Sequence, residues 1–289
     1  MPYVLMRSAF IAIAVLTFAG FGAGSASAET PLERGTYLMN SIVACGNCHT
    51  PKGPDDKALA GKELSGGDPI DSPVFHAMPA NITPDKDTGI GKWTDDQIVT
   101  AIREGKRPDG TIIGPPMPIP FYRAMSDTDV HAIVAYLRSV KPIANPIAKS
   151  TYKIPLPPAY GPPVTHVADV PHTDHVAYGR YLATGLGHCM DCHTTAVAGR
   201  ADMTRMGAGG NVFGSPNGGT ILSANLTPGN PNGVAGWTNQ QVKDAITTGN
   251  RPDRPLVRLM AFDWYKNMSN NDLNDLVAFL RSLKPVKTP

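Results

Sequence analysis

Two short phrases constrain this chain more than anything else in it. Residues 44–50 read ACGNCHT and residues 188–194 read HCMDCHT, and the chain has no cysteine outside them. The phrases belong to a longer repeat. Cys45 and Cys189 are 144 residues apart, as are His49 and His193, Asn81 and Asn225, Pro84 and Pro228, Trp93 and Trp237, and Arg107 and Arg251. The offset then falls to 143 for Met117 and Met260, Tyr122 and Tyr265, Leu137 and Leu280, and Pro142 and Pro285, so one residue is deleted between Pro108 and Met117. A period this long is not a solenoid repeat. It predicts two similar domains in tandem.

Cys-x-x-Cys-His brings two thiols onto one turn and places an imidazole directly after them. That set can form two thioethers to the vinyl groups of a haem and supply a proximal nitrogen to its iron. Other uses of the motif fit less well. A zinc site needs two further ligands at short spacing, yet the next histidine after His49 is His76, alone. A redox-active cysteine pair belongs in a strand–helix unit, which the pattern lacks. A disulfide within each pair leaves the repeated histidine without a purpose. The sequence therefore predicts two covalently bound haem c groups, attached through Cys45, Cys48 and His49 and through Cys189, Cys192 and His193.

The sixth iron position separates a carrier from an enzyme, because iron closed by methionine is an electron-transfer centre of raised potential. His76, His131, His166, His172, His175 and His188 have no partner at the repeat offset, and Met78 meets Leu222. Two methionine pairs do recur, Met117 with Met260 and Met125 with Met268. Met125 and Met268 precede the helix caps Ser126 and Ser269, where a side chain staples onto Val130 or Leu273. Met117 and Met260 lie in GPPMPIPFY and VRLMAFDWY, on loops between helices, and are the expected iron ligands. Trp93 and Trp237 either border the ring, donate an N–H to a propionate or fill the core. Arg107 and Arg251 either pair a propionate or stand in solvent.

The expected fold class is all-α, two helical domains with long loops rich in the chain's 29 glycines and 28 prolines. First helices are expected over residues 34–46 and 178–189, running into the cysteine motifs. Middle helices start at the Thr-x-x-Gln capping boxes of Thr94 and Thr238 and stop at Gly105 and Gly249. Last helices start at Ser126 and Ser269 and carry apolar residues at helical spacing. Seven prolines from Pro146 to Pro171 predict a stiff, extended connector. The expected division is a leader over residues 1–28, a first domain over 29–147, a linker over 148–172 and a second domain over 173–289.

The leader expectation rests on Arg7, the apolar run that follows and the small residues Ala26 and Ala28. It places cleavage after Ala28 and the mature protein in the periplasm. No later stretch is apolar enough to span a bilayer, although peripheral membrane association remains open. The net charge is +2, and residues 1–28 hold one arginine and no acid. So balanced a chain is not expected to bind nucleic acid.

The phrases ANITPDKDTGIGKWTDDQI and PPMPIPFYRAMSDTDVHAIVAYLRS, with their second copies, resemble dihaem class I cytochromes c. They are similar to the cytochrome c subunits of periplasmic alcohol, gluconate and related dehydrogenases. In that family the methionine of Met-Pro-x-x-x-Tyr is the distal ligand. This implies Met117 directly, and Met260 with Ala261 in place of the proline. Those subunits commonly hold three haem modules, and this chain has two. The resemblance implies an electron carrier between a dehydrogenase donor and a cytochrome or oxidase acceptor, with no catalytic residue of its own. The alternative is a dihaem redox enzyme, peroxidase-like or acting on sulfur compounds, with an open or unusual site near Met260.

Overall fold

Capping residues fix where the helices begin. The computed structural model describes residues 1, 3, 28–214, 218–230, 233–256 and 259–288. All but three residues of the expected leader, residues 1–28, lie outside the described residues. Helix α1 (Pro31–Asn40) starts from a Thr30–Glu33 capping box with proline in its first turn, a combination that satisfies free N–H groups and presets φ. A short turn, α2 (Gly46–His49), carries the first motif. Helix α3 (Asp95–Glu104) starts from the Thr94–Gln97 box and ends at Gly105, with φ +65°. Next come α4 (Ile119–Tyr122) and α5 (Asp127–Ser139), the latter capped by Ser126. The second half repeats this order. It has α6 (His175–Tyr181), a π-helical turn over Leu182–Leu186, α7 (Cys189–His193), α8 (Asn239–Thr247), α9 (Phe262–Tyr265) and α10 (Asn270–Ser282).

The expected first helices are shorter than the sequence suggests. Helix α1 stops at Asn40 and α6 passes into the π-turn, so neither runs into its motif. Both motifs are entered through a left-handed residue, Ala44 at φ +48° and His188 at φ +41°. An L-residue in that region cannot continue a right-handed helix, so the cysteine-bearing turn leaves the helix axis.

Each half is organised by the crossing of its first and last helices, α1 on α5 and α6 on α10. The crossings require glycine. A Cβ on Gly35 would lie 2.0 Å from the Ala132 carbonyl oxygen, and one on Gly179 would lie 1.9 Å from that of Asp275. Leu38, Ile42, Ile133 and Leu137 in the first half and Leu182, Leu276 and Leu280 in the second are buried in one continuous core. Met125 and Met268 are buried in it with Val130 and Leu273, as their place beside the caps predicts.

The all-α expectation is corrected. Helix accounts for only 34% of the described residues, and short antiparallel strands pair within the loops. In the first half β1 (Ile70–Ser72) and β2 (Phe75–Ala77) form a hairpin, which β3 (Thr151–Tyr152) extends. In the second half β4 (Ala196–Val197) pairs with β5 (Arg200–Ala201), and β6 (Val212–Gly214) with β7 (Thr220–Leu222). The cause is backbone satisfaction. Long loops pressed against a core must pair their own N–H and C=O groups, and pairs of two or three residues are too short to show alternation in the sequence.

The proline-rich connector lies along the first half as a strap. Besides contributing β3, it accepts from Arg123 at the Pro162 carbonyl, and Tyr160 Oη donates to the Ile113 carbonyl at 2.8 Å. The Val164 N–H donates to Glu104 at 3.0 Å. Asp127 ties it down most firmly, receiving Arg103 Nη1 at 2.6 Å, His166 Nδ1 at 2.5 Å and the Val167 N–H at 3.3 Å. Burial works against the charged Asp127 carboxylate, but the bonds from Arg103, His166 and Val167 outweigh it and hold its pKa down at about 2.

The two halves meet through reciprocal contacts. Tyr181 Oη donates to Asp129 at 2.7 Å and accepts the Ser126 N–H at 3.0 Å. Its repeat counterpart Tyr37 donates to Asp272 at 2.5 Å and accepts the Ser269 N–H at 3.0 Å. This is the self-complementary pattern of a two-fold dimer interface, built here within one chain. The pairing breaks symmetry at Arg34, which makes a two-point bond to Asp129 at 2.7 and 3.2 Å and also donates to Tyr178 Oη at 3.1 Å. Position 178, the counterpart of 34, is tyrosine.

Two predictions follow from this geometry. Tyr37→Phe is expected to cost about 1–3 kcal/mol in denaturant unfolding and more than Tyr181→Phe. Asp129 keeps Arg34 in the second variant, whereas buried Asp272 loses the one side-chain donor it has among the described residues. Equal losses would refute the asymmetry. Burial and the neighbouring carboxylates raise both phenols above their ordinary value, so their contribution is full below about pH 10 and is lost as pH rises through the folded-state values. At the acid end Asp127, depressed to about 2, contributes above its ordinary carboxylate value, and that contribution is lost as pH falls toward 2. Cleavage of the strap by an acid-active protease is therefore expected to rise over that window in the parent, and to be already high at pH 5 in Asp127→Asn.

Candidate functional site

The two motifs are built alike from the backbone outward. In the first, the His49 N–H bonds the Cys45 carbonyl at 2.9 Å and the Cys48 N–H bonds it at 3.2 Å, which winds Cys45, Cys48 and His49 onto one turn. The His49 carbonyl accepts the Gly66 N–H at 2.9 Å, and that of His193 accepts the Gly209 N–H at 2.9 Å. The next residues, Thr50 and Thr194, are buried and accept the Leu64 and Gly207 N–H groups at 3.0 and 3.2 Å. The exit of each motif is thereby fixed.

The imidazoles are oriented in the same way. His49 Nδ1 lies 2.7 Å from the Ala80 carbonyl oxygen, and His193 Nδ1 lies 2.8 Å from that of Ala224. A carbonyl can only accept, so Nδ1 carries the proton in both. Nε2 is left with its lone pair, the form a metal requires. The carbonyls are themselves anchored by the residue that follows. Buried Asn81 donates to the Ile143 carbonyl at 2.8 Å and accepts Thr83 Oγ1 at 2.7 Å. Asn225 does the same with Val286 and Thr227, both at 2.7 Å. Burial lowers both imidazoles and the carbonyl bonds partly offset it. Burial also pushes the Cys45 and Cys192 thiols up to about 12 and that of Cys189 to about 11, so they remain S–H groups.

All four cysteines are free of disulfides. Among the described residues no group of three or more His, Cys, Asp or Glu side chains could hold a metal ion. The donor set fits a porphyrin iron held by two thioethers and one imidazole, and it does not fit zinc.

Met117 and Met260 are half-buried and border the same core as Cys45 and Cys189. Each stands two residues before a four-residue helix and is tied to it, the Met117 and Met260 carbonyls accepting the Ile119 and Phe262 N–H groups at 2.9 Å. Ala261 does not disturb this loop. Its φ of −79° and ψ of 55° reproduce the −84° and 52° of Pro118.

The remaining repeated residues have local partners. Arg107 bonds the Ile112 carbonyl at 3.1 Å, within its own loop. Arg251 pairs with Asp253 at 2.9 Å and lies over the Trp237 ring at 5.2 Å. Trp93 and Trp237 pack against the core, and their carbonyls accept from Arg138 and Arg281. These two arginines recur at the 143 offset and were not singled out from the sequence, nor were Tyr37, Tyr181, Asp129 and Asp272. The repeat offset was the signal that could have found all six.

The structure also brings the two motifs together. The Trp264 indole lies 3.1 Å from where a Cβ on Gly46 would stand. Tyr122 meets His188 edge to face at 5.7 Å. The short helix after each half's methionine thus packs on the other half's motif. Burial, with the neighbouring Asp191 carboxylate, keeps the Cys192 thiol high. Burial also raises Asp191 to about 6 and lowers His188 to about 4.

A duplicated Cys-x-x-Cys-His turn, with its histidine held through Nδ1 in both halves, points to the class. Residues 32–141 match the cytochrome c family model, and the chain carries a cytochrome c domain there. It is 32% identical over 289 residues to the cytochrome c subunit of the quinone alcohol dehydrogenase of Komagataeibacter europaeus, covering 91% of this chain and 59% of that protein. It is 29% identical to the gluconate 2-dehydrogenase cytochrome c subunit of Pantoea cypripedii, covering 94% and 64%. A dihaem cytochrome c-type protein of Cereibacter sphaeroides is 28% identical, covering 84% and 83%. The chain thus spans about three fifths of the alcohol dehydrogenase subunits it matches. The matched segment is thus a cytochrome c domain, the kind of domain that holds a covalently bound haem c. No helix among the described residues is long and apolar enough to cross a membrane.

Proposed function

We propose that this chain holds two haem c groups side by side and carries electrons in the periplasm from a dehydrogenase to another cytochrome or an oxidase. The repeated bond from histidine Nδ1 to a backbone carbonyl carries the reading, because it prepares Nε2 for iron in both halves alike. Cys45 and Cys48 would hold one haem through thioether bonds and Cys189 and Cys192 the other. His49 and His193 would supply the imidazole nitrogens to iron, and Met117 and Met260 would supply the thioether sulfurs. The bound haems supply the Fe(II)/Fe(III) couple. The chain's part is to keep the ligand set still, which the anchored carbonyls of Ala80 and Ala224 and the short helices α4 and α9 accomplish.

The names of the relatives, cytochrome c subunits of alcohol and gluconate dehydrogenases, support a dehydrogenase as donor and a periplasmic setting. The domains are taken as residues 29–147 and 173–289, with residues 148–172 between them and a leader cut after Ala28. The unchanged backbone at Ala261 favours methionine ligation in both halves, and so favours a carrier over an enzyme with one open site.

The haem-loaded protein is expected to give two haems per chain in a pyridine haemochrome assay and a ferric methionine charge-transfer band in the near infrared. Met117→Ala and Met260→Ala should each remove about half of that band and lower one midpoint potential while keeping both haems. A band untouched by Met260→Ala would remove that residue from the ligand set.

A further inference from the structure

The two hairpins are equivalent in place but not in covering. In the first half β3 pairs with the outer edge of β2, matching Phe75 with Tyr152 and His76 with Thr151. Lys153 donates to the Val74 carbonyl at 2.9 Å, and the Phe75 and Tyr152 rings lie 6.3 Å apart. Tyr152 and Leu156 also close on Gly114, on the loop leading to Met117. In the second half no strand among the described residues pairs with the outer edge of β7.

The edge is ready for one. The Ser223 N–H bonds the Asn211 carbonyl at 2.9 Å, toward β6. Strand alternation then points the backbone groups of Ile221 inward and those of Thr220 and Leu222 outward. Val212 and Leu222 are each 65% exposed, whereas Met78, which follows β2 and stands where Leu222 stands, is half-buried. Gly219 stands where Phe75 stands in the first half, and an aromatic side chain on an incoming strand would cover it.

We propose that the outer edge of β7 is a docking site for an extended segment of a partner polypeptide, bearing an aromatic residue, which completes the second hairpin as Thr151–Tyr152 completes the first. Main-chain bonds give such pairing its affinity and the side-chain pockets its selectivity. The bound strand would lie beside the second methionine loop. The inference stands on strand pairing alone and does not depend on the iron ligands.

The test uses the haem-loaded full chain and a fluorescent synthetic peptide copying residues 147–158, in which a photoreactive phenylalanine replaces the tyrosine. Saturable binding is expected, with cross-links at residues 219–223. N-methylation of the peptide at the position of Lys153 should weaken binding about tenfold or more. Leu222→Pro, which removes an outward N–H, should do the same while leaving the haem spectrum unchanged. Should that variant misfold, the N-methylated peptide decides alone. Absence of saturable binding, indifference to N-methylation or cross-links elsewhere would each overturn the proposal.

Discussion

A tyrosine hydroxyl shared between a carboxylate and a helix cap holds this molecule together. Tyr181 bonds Asp129 and the Ser126 N–H, while Tyr37 bonds Asp272 and the Ser269 N–H. Each tyrosine sits on the first helix of one half, and each acceptor sits at the start of the last helix of the other. The phenol replaces water at the cap and donates into the first helical turn, where positive partial charge already favours a carboxylate. Buried polar groups of this kind are costly when unpaired, so the bonds select one docking of the halves. That docking seats Trp264 on Gly46 and Tyr122 on His188. The interface and the two motifs are consequently one construction.

The histidines depend on the same economy of backbone groups. An imidazole bonded through Nδ1 is only as well placed as its carbonyl. Asn81 and Asn225 fix that carbonyl by tying the loop to the segment after the last helix. The last helix is in turn held by its crossing with the first, at Gly35 and Gly179. A chain of contacts therefore runs from helix crossing to asparagine to carbonyl to histidine, and it runs twice. For a histidine offered to a metal, such support matters as much as the ligand itself.

Local signals with a mechanism could be read from the sequence. Thr94, Thr238, Ser126 and Ser269 mark helix starts because their oxygens satisfy specific N–H groups, and the starts fall where they predict. The duplicated Cys-x-x-Cys-His announced covalent haem because few other chemistries need that triplet. The short strands could not be read, since pairs of two or three residues arise from loops satisfying themselves and leave no periodic trace. Ala44 and His188 were equally silent. Alanine does not favour the left-handed region and histidine visits it only in a minority of places, so neither residue type announces the turn. The interface was present in the repeat itself, as Tyr37 with Tyr181 and Asp129 with Asp272, but a matching offset does not say which copies touch.

Duplication also makes the departures informative. Where both copies serve the same role, the residue or its geometry is kept, as Ala261 keeps the backbone of Pro118 without being proline. Where they differ, the halves have separate tasks. Arg34 reinforces Asp129, and nothing comparable stands at Tyr178 for Asp272. The connector folds back on the first half, pairing with β2 and pinned by Asp127. Its bonds leave that face closed. Among the described residues no strand pairs with the outer edge of β7, and Val212 and Leu222 beside it are exposed. Two modules with the same Cys-x-x-Cys-His turn are thereby given unequal surfaces, the asymmetry on which the proposed docking of a partner strand rests.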